Sequence, residues 1–289
     1  MNREMALPGS NDYTHPCRAL PIGGLVELAA FEVQKPAGDP ERQSYWRQSE
    51  VTLFQLEQYE SSVYSQNGED GLLARIFDVL GTTNRYFVEF GTGRDGRERN
   101  TRLLEEKHGW QGLLMDVCAE ENHPRVRKEK ITAENINDLF SKYEVPGEFD
   151  LLSIDIDGND YWVWAAIDSR YCPRVLVMEY NASFAPPARK AIAYDLDFRW
   201  NRTDYFGASL AALEDLNRQK GYTLVYCERR GINSFYIRDD LLPENCRRPV
   251  EEIYRAPDYA RGKCFGLARL VWPRGVGHKR DISRKMVDV

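Results

Sequence analysis

Histidine and closely spaced cysteine are scarce in this sequence. Four histidines and six cysteines are spread over 289 residues, and Cys17, Cys118, Cys172, Cys227, Cys246 and Cys264 show no C-x-x-C spacing. A zinc knuckle or a redox dithiol needs such spacing, so neither is signalled and reduced, mostly buried thiols are expected. A long apolar run is also missing, since the longest, around residues 24–31, is interrupted by Glu27. With an early acid and no apolar core of signal-peptide length, the expectation is a soluble, cytoplasmic protein with no membrane partner. Basic charge is not in excess either. The net charge of -6 argues against nonspecific nucleic-acid binding, which needs dense Lys and Arg. The short basic pairs Arg229-Arg230, Arg247-Arg248 and Lys279-Arg280 read as solvated faces.

What is present is enough apolar material, 42% of residues, for one large α/β domain with extensions. Residues 1–64 read as an N-terminal arm and helical extension, 65–242 as the main domain and 243–289 as a C-terminal extension. Pro8-Gly9, Pro16, Pro21 and Pro36 break up the first 40 or so residues. That arm suits wrapping the domain or a second copy, so a homodimer is expected. Helical spacing is loose over 44–64 and clear over 69–80, which ends at Gly81. Strand signals then fall at 86–90, 112–116, 130–132, 150–156, 174–180, 222–227 and 234–238, with helical signals at 101–108, 134–143, 161–167 and 208–220. This alternation predicts a seven-stranded, mostly parallel, Rossmann-like sheet covered by helices on both faces. The short Arg229-Arg230-Gly231 link lets the last two strands form an antiparallel hairpin.

Two stretches carry chemistry. The first, Tyr86-Phe-Val-Glu89-Phe-Gly91-Thr-Gly93-Arg-Asp-Gly96, is a buried strand running into a glycine-rich turn. About 20 residues beyond Gly96 a second strand ends in Asp116, placed to accept ribose hydroxyls. Glycine turns of this kind bring backbone N–H groups close to a nucleotide-type ligand. Glu89, two residues before Gly91, would repel a dinucleotide pyrophosphate but attract an ammonium group. That electrostatic difference favours S-adenosylmethionine over NAD.

The second stretch, Asp155-Ile-Asp157-Gly158-Asn159-Asp160, lies at the carboxyl end of the fourth strand, the edge where open parallel sheets bind ligands. Asp155 and Asp157 are two apart and share a face of an extended chain. Three crowded carboxylates call for a positive partner, and Mg²⁺ with oxygen ligands answers that need. The fifth strand ends in Glu179-Tyr-Asn181 at the same edge, so Asp157, Glu179 and Asn181 form the expected metal set. Such an ion lowers the pKa of a substrate hydroxyl, with Asp160, one helical turn past Asp157, as the expected base. A plainer reading makes Asp157 and Asn159 turn and cap residues. Thr132 reads as an N-cap. Residues 194–206, rich in aromatics, Asp and Arg, read either as a substrate cover or as a pinned surface loop.

With these motifs in place, residues 64–241 resemble the FkbM-type branch of the class I S-adenosylmethionine-dependent methyltransferases. The likeness rests on Ser65-Gln-Asn-Gly-Glu-Asp70, Phe87-Val-Glu-Phe-Gly91, Asn100-Thr101, Gly109-Trp-Gln-Gly112, Ser153 to Asp160 and Glu179-Tyr-Asn181. It implies methyl transfer, commonly to an oxygen of a sugar or secondary metabolite. It places the cofactor among Gln66, Glu89, Gly91, Gly93, Asn100, Asp116 and Asp155. Asp157, Glu179 and Asp160 are similar in placement to the metal and base positions of Mg²⁺-dependent O-methyltransferases, although the base there is Lys or His. A nicotinamide-dependent oxidoreductase and a binding protein that has kept the fold stand as alternatives.

Overall fold

The computed structural model describes residues 55–97, 99–243, 246–259 and 277–289. The proline-rich arm, the start of the expected 44–64 helix, Cys17 and Cys264 lie outside these residues. Seven strands form the main sheet: β1 (Tyr86–Phe90), β2 (Gln111–Asp116), β3 (Val126–Lys128), β4 (Glu148–Ile154), β5 (Cys172–Glu179), β7 (Tyr222–Cys227) and β8 (Asn233–Arg238). Their spatial order is β3-β2-β1-β4-β5-β8-β7, and β8 runs antiparallel to both β5 and β7. The expected Rossmann-like sheet with an antiparallel last strand is present. Two short strands, β6 (Lys190–Ala191) and β9 (Val287–Asp288), pair separately.

Alternation along the strands explains the layers. Val88 and Phe90, Leu152 and Ile154, and Leu176 and Met178 point to one core, while Phe87, Leu151, Val175 and Val177 point to another. The first core is closed by α3 (Ile136–Lys142), α4 (Asp160–Ala166) and α5 (Leu210–Lys220), through Phe140, Trp164 and Leu213. The second is closed by α1 (Glu69–Leu80) and α2 (Arg102–His108), with Leu72, Leu73, Ile76 and Leu104 inside. Helices on both faces leave the strands buried on both sides, so they read as nearly continuous apolar runs. A short helix, α6 (Val250–Ile253), packs Ile253 onto the first core.

Below the sheet, at the amino end of β4, Asp150 is fully buried. It accepts hydrogen bonds from the backbone N–H groups of Thr83, Asn84 and Arg85 and pairs with Arg174 at 2.7 Å. Arg174 in turn donates to the Leu80 and Gly81 carbonyls, the exposed end of α1. A charge buried this deeply is tolerated because every side of it is paired. The clamp fixes the turn that feeds β1, and so the height at which β1 delivers its glycines.

Two expectations are corrected. The third strand lies at Val126–Lys128, not at 130–132. Thr132 and Asn135 instead exchange hydrogen bonds across the start of α3, so the polar pair that looked like a strand end shapes a helix entry. Within the described part of 44–64 only a 3₁₀ turn, Leu56–Tyr59, is formed. There the chain must bend, because one oxygen of Asp70 gathers the N–H groups of Val63, Tyr64 and Ser65. Cys118, Cys172, Cys227 and Cys246 form no disulfide among the described residues, and no described helix is long and apolar enough to cross a membrane.

Candidate functional site

The carboxyl ends of β1, β2, β4 and β5 meet at one edge. β1 hands over to a turn at Gly91, with φ 85°, where an added Cβ would lie 1.3 Å from the Asp155 carbonyl oxygen. Only glycine fits where the two strand ends approach so closely. Gly93, also at positive φ, faces open space instead. Gln66, Gly91, Thr92, Gly93 and Arg97 line a hollow of about 420 Å³, within the range of small-molecule sites. The Thr92 hydroxyl, buried beside it, has no hydrogen-bond partner.

Asp116 closes the turn from the β2 side. One oxygen accepts from Gly93 N–H at 2.7 Å and the other from Cys118 N–H at 2.6 Å. The next residue, Val117, is 55% exposed. A carboxylate with an apolar step beside it suits a nucleoside, with hydroxyls on the acid and a flat ring on the aliphatic side chain. Val117 is not apparent from the sequence, where it reads as the start of a loop.

Glu89 has a duty the electrostatic argument did not foresee. Its carboxylate accepts from Asn100 N–H at 2.7 Å, Thr101 N–H at 3.0 Å and the Thr101 hydroxyl at 2.5 Å. Burial raises its pKa, while those hydrogen bonds and Arg99 oppose the rise. The carboxylate therefore anchors the start of α2 to the end of β1, and its donors come from within the chain. Asn100 joins the same anchor, its side chain donating to Ser153 Oγ at 3.1 Å.

The acidic cluster is tighter than the strand pattern suggests, and its membership differs. Oxygens of Asp155, Asp157 and Glu179 all lie within 4.8 Å of one another. Burial, then the Asp157, Asp160 and Glu89 charges, pushes Asp155 well above the carboxylate range. Burial, then Asp155, Asp157 and Asp160, does the same to Glu179, and one buried Glu179 oxygen has no partner. Asp157, which keeps solvent access, is pushed up to about 6 by the packing around its carboxyl together with Asp160 and Asp116. It sits at φ 59°, a left-handed conformation that costs a non-glycine residue free energy. A cradle of three mutually repelling carboxylates, one with an orphaned oxygen, fits a hard divalent cation.

Two expected members stand elsewhere. Asn181 is fully buried, and its amide donates to the Asp204 and Phe206 carbonyls while its oxygen accepts from Ser183 N–H. The carboxylate grouped with Asp157 and Glu179 is that of Asp155, whereas the Asn181 side chain is committed to the loop after β5. Asp160, 1% exposed, accepts from Ile156 N–H and Gly158 N–H, each at 2.8 Å. Its two oxygens each accept one backbone N–H in a buried place, and these bonds, whatever its expected part in proton removal, hold the strained Asp157 turn.

The loop after β5 lies over this turn. Asn159 donates to the Asp195 carbonyl at 2.7 Å, and an added Cβ on Gly158 would strike the Phe198 ring at 2.4 Å. The C-terminal segment grips the same loop: Asp204 N–H bonds to Lys279 O, Asp281 N–H to the Asp204 side chain, and Arg284 stacks 4.3 Å over Tyr205. His278 packs against Trp200, Phe206 and Tyr259. Sequence reasoning missed this contribution from Tyr259 and residues 278–284, since nothing local there signals where they dock.

No protein-family model and no curated protein matches this chain. Among solved structures, one from Klebsiella pneumoniae described as a "putative O-methyltransferase" is 16% identical over 70% of this chain and 91% of its own length, with a TM-score of 0.35.

Proposed function

We propose that this chain is an S-adenosylmethionine-dependent methyltransferase of FkbM-like type that methylates a hydroxyl oxygen of a small molecule with the help of a divalent cation. The observation that carries the reading is the Asp155, Asp157 and Glu179 cluster, its oxygens within 4.8 Å, beside the Gly91 turn at the same sheet edge. The hollow at that turn, its unpaired Thr92 hydroxyl, Asp116 and exposed Val117 are the groups that would hold the cofactor. When bound, the cofactor supplies a methyl group on a sulfonium and the cation makes the acceptor hydroxyl more acidic.

The chain's own residues supply position. Asp155 and Glu179, at adjacent strand ends, would hold the cation. Asp157, the member of the cluster that keeps solvent access, would complete its ligand set from the side open to an acceptor. Glu89 and Asp160 hold the two turns in register, and the loop after β5 lies against Gly158 through Phe198.

Calorimetry tests the reading. S-adenosylhomocysteine is expected to bind at about micromolar strength and NAD not to bind. A chelated protein should regain Mg²⁺ binding on titration. Binding of NAD in preference to S-adenosylhomocysteine would overturn the assignment.

A further inference from the structure

Asn233, the first residue of β8, has no role in the reading above. It is 3% exposed, and its side-chain oxygen is a buried acceptor with no hydrogen-bond partner. The amide nitrogen donates to Glu69 Oε1 at 2.8 Å, where α1 begins. Asn67 braces the same carboxylate, through its backbone N–H at 2.8 Å and its side-chain amide at 3.1 Å. A carboxylate only accepts, so the nitrogen of Asn233 is the atom that faces Glu69 and the oxygen is the atom left over.

Strand register brings that oxygen to the acidic cluster. Ile154 pairs with Met178 across β4 and β5, and Glu179 with Asn233 across β5 and β8, so Asp155, Glu179 and Asn233 stand level at three adjacent strand ends. Val177 and Phe235, also paired and two residues back along their strands, face the second core, which puts Glu179 and Asn233 on that same face. Asn233 turns its backbone away from β5, giving its N–H to the Glu228 carboxylate at 3.2 Å and its carbonyl to Glu228 N–H at 3.1 Å. On the β5 side the adjacent hydrogen bond runs from Tyr180 N–H to Ile232 O at 2.8 Å. Glu179 and Asn233 are thus a non-hydrogen-bonded pair, the kind whose Cα atoms are about 4.5 Å apart and whose side chains are closest. Glu179 Oε2 is itself a buried acceptor without a partner. Two neighbouring acceptors cannot satisfy each other, whereas one cation satisfies both, and a neutral amide oxygen joins three carboxylates without adding repulsion.

We propose that Asn233 is a fourth protein ligand of the cation, binding it through the side-chain oxygen beside Glu179. The inference rests on the cation reading of the cluster and adds to it a neutral ligand from β8, a strand that contributes nothing to the set expected from β4 and β5. Glu69 is then a positioning residue, since by holding the amide nitrogen it decides which end of Asn233 the ion meets.

The test uses the full chain, freed of metal with EDTA and titrated with MnCl₂, since Mn²⁺ takes the same oxygen ligands as Mg²⁺ and is visible by electron paramagnetic resonance. Asn233→Ala is expected to weaken Mn²⁺ binding about tenfold or more. Because a purely structural loss could also weaken binding, the second readout is direct. Protein carrying ¹³C only in its asparagines should show, by electron-nuclear double resonance of the Mn²⁺-loaded state, the carbon coupling of a metal-bound amide carbonyl. The double variant Glu69→Gln with Asn233→Asp exchanges donor and acceptor, so it keeps the hydrogen bond and an oxygen ligand but has no labelled carbon at position 233. It should bind Mn²⁺ at least as tightly as the wild type and lose the coupling, and it decides alone if Asn233→Ala does not fold. Wild-type Mn²⁺ binding without the coupling, a coupling that survives in the double variant, or Asn233→Ala with wild-type affinity would overturn the inference while leaving the cation reading in place. Failure of the wild type to bind either Mn²⁺ or Mg²⁺ would instead bring down the cation reading, and the fourth ligand with it.

Discussion

Replacing Glu179 with glutamine should make the metal-free protein more stable and the Mg²⁺-loaded protein less so. Two unit charges 4.8 Å apart repel by about 3 kcal/mol at an effective dielectric of 20 and by about 1 kcal/mol in water. Glu179 faces two such neighbours, one of them solvated, so its full ionisation would cost about 4 kcal/mol; its raised pKa lets protonation relieve part of this, and removing the charge at pH 8 should gain about 2 kcal/mol without cation. Glutamine keeps the shape, and its amide can donate to Asp155 or Asp157. For a chain of this size that gain is a rise in Tm of about 4–8 °C in EDTA. With Mg²⁺ at about a hundred times its Kd, the wild type gains about 2.7 kcal/mol, whereas a cradle with one carboxylate fewer gains little. The two melting curves, followed by circular dichroism, should therefore exchange order between EDTA and MgCl₂. A variant that melts lower than wild type in EDTA, or that keeps the full Mg²⁺ response, would refute the cation cradle.

The same cluster makes a prediction about pH. In the folded state the Asp157 carboxyl is raised from 3.8 to about 6, with Asp155 and Glu179 raised further by burial, so the native chain holds protons that the unfolded chain releases. Without cation, stability should fall as pH rises from about 4 through 6 and on through the higher Asp155 and Glu179 values. The Mg²⁺-induced gain in Tm should grow over the same range as ligands deprotonate, and melts from acid to mildly alkaline pH with and without Mg²⁺ would show both trends. Gly91→Ala forces a Cβ into the Asp155 carbonyl and should cost more than about 3 kcal/mol in urea unfolding, whereas Gly93→Ala, with open space around its Cβ, should cost about 1 kcal/mol for its positive φ alone. Asp160→Ala leaves the Ile156 and Gly158 N–H groups without their acceptor and should lose about 2 kcal/mol in the same assay. A loss below a few tenths would show that the Asp157 turn does not depend on it.

The sheet was readable because its strands are buried on both faces and carry nearly continuous apolar runs, as in Leu151 to Ile154, broken only by Ser153, and Val175 to Met178. β3 was not, because a three-residue strand with Arg127 and Lys128 exposed offers neither alternation nor length. Asp157 and Glu179 could be placed at one edge from strand ends alone. Which neighbour completes the set could not, since Asp155 and Asn181 are both plausible by spacing. The choice is made by a loop more than twenty residues on, whose carbonyls at Asp204 and Phe206 occupy the Asn181 amide. Asp160 shows the same limit at short range, because helical spacing put it near Asp157 but did not reveal that its carboxylate turns back onto Ile156 and Gly158.

The pairing of β9 with β6, together with the Asp281 clasp on Asp204, means that the loop covering the acidic turn is braced by the segment running up to Val289. Carboxypeptidase digestion, or a purification tag fused beyond Val289, would thus loosen that loop while the sheet and the hollow at the Gly91 turn stayed whole. Occupied protein should resist such trimming better than empty protein, which makes digestion rate a simple screen for compounds that settle under that loop.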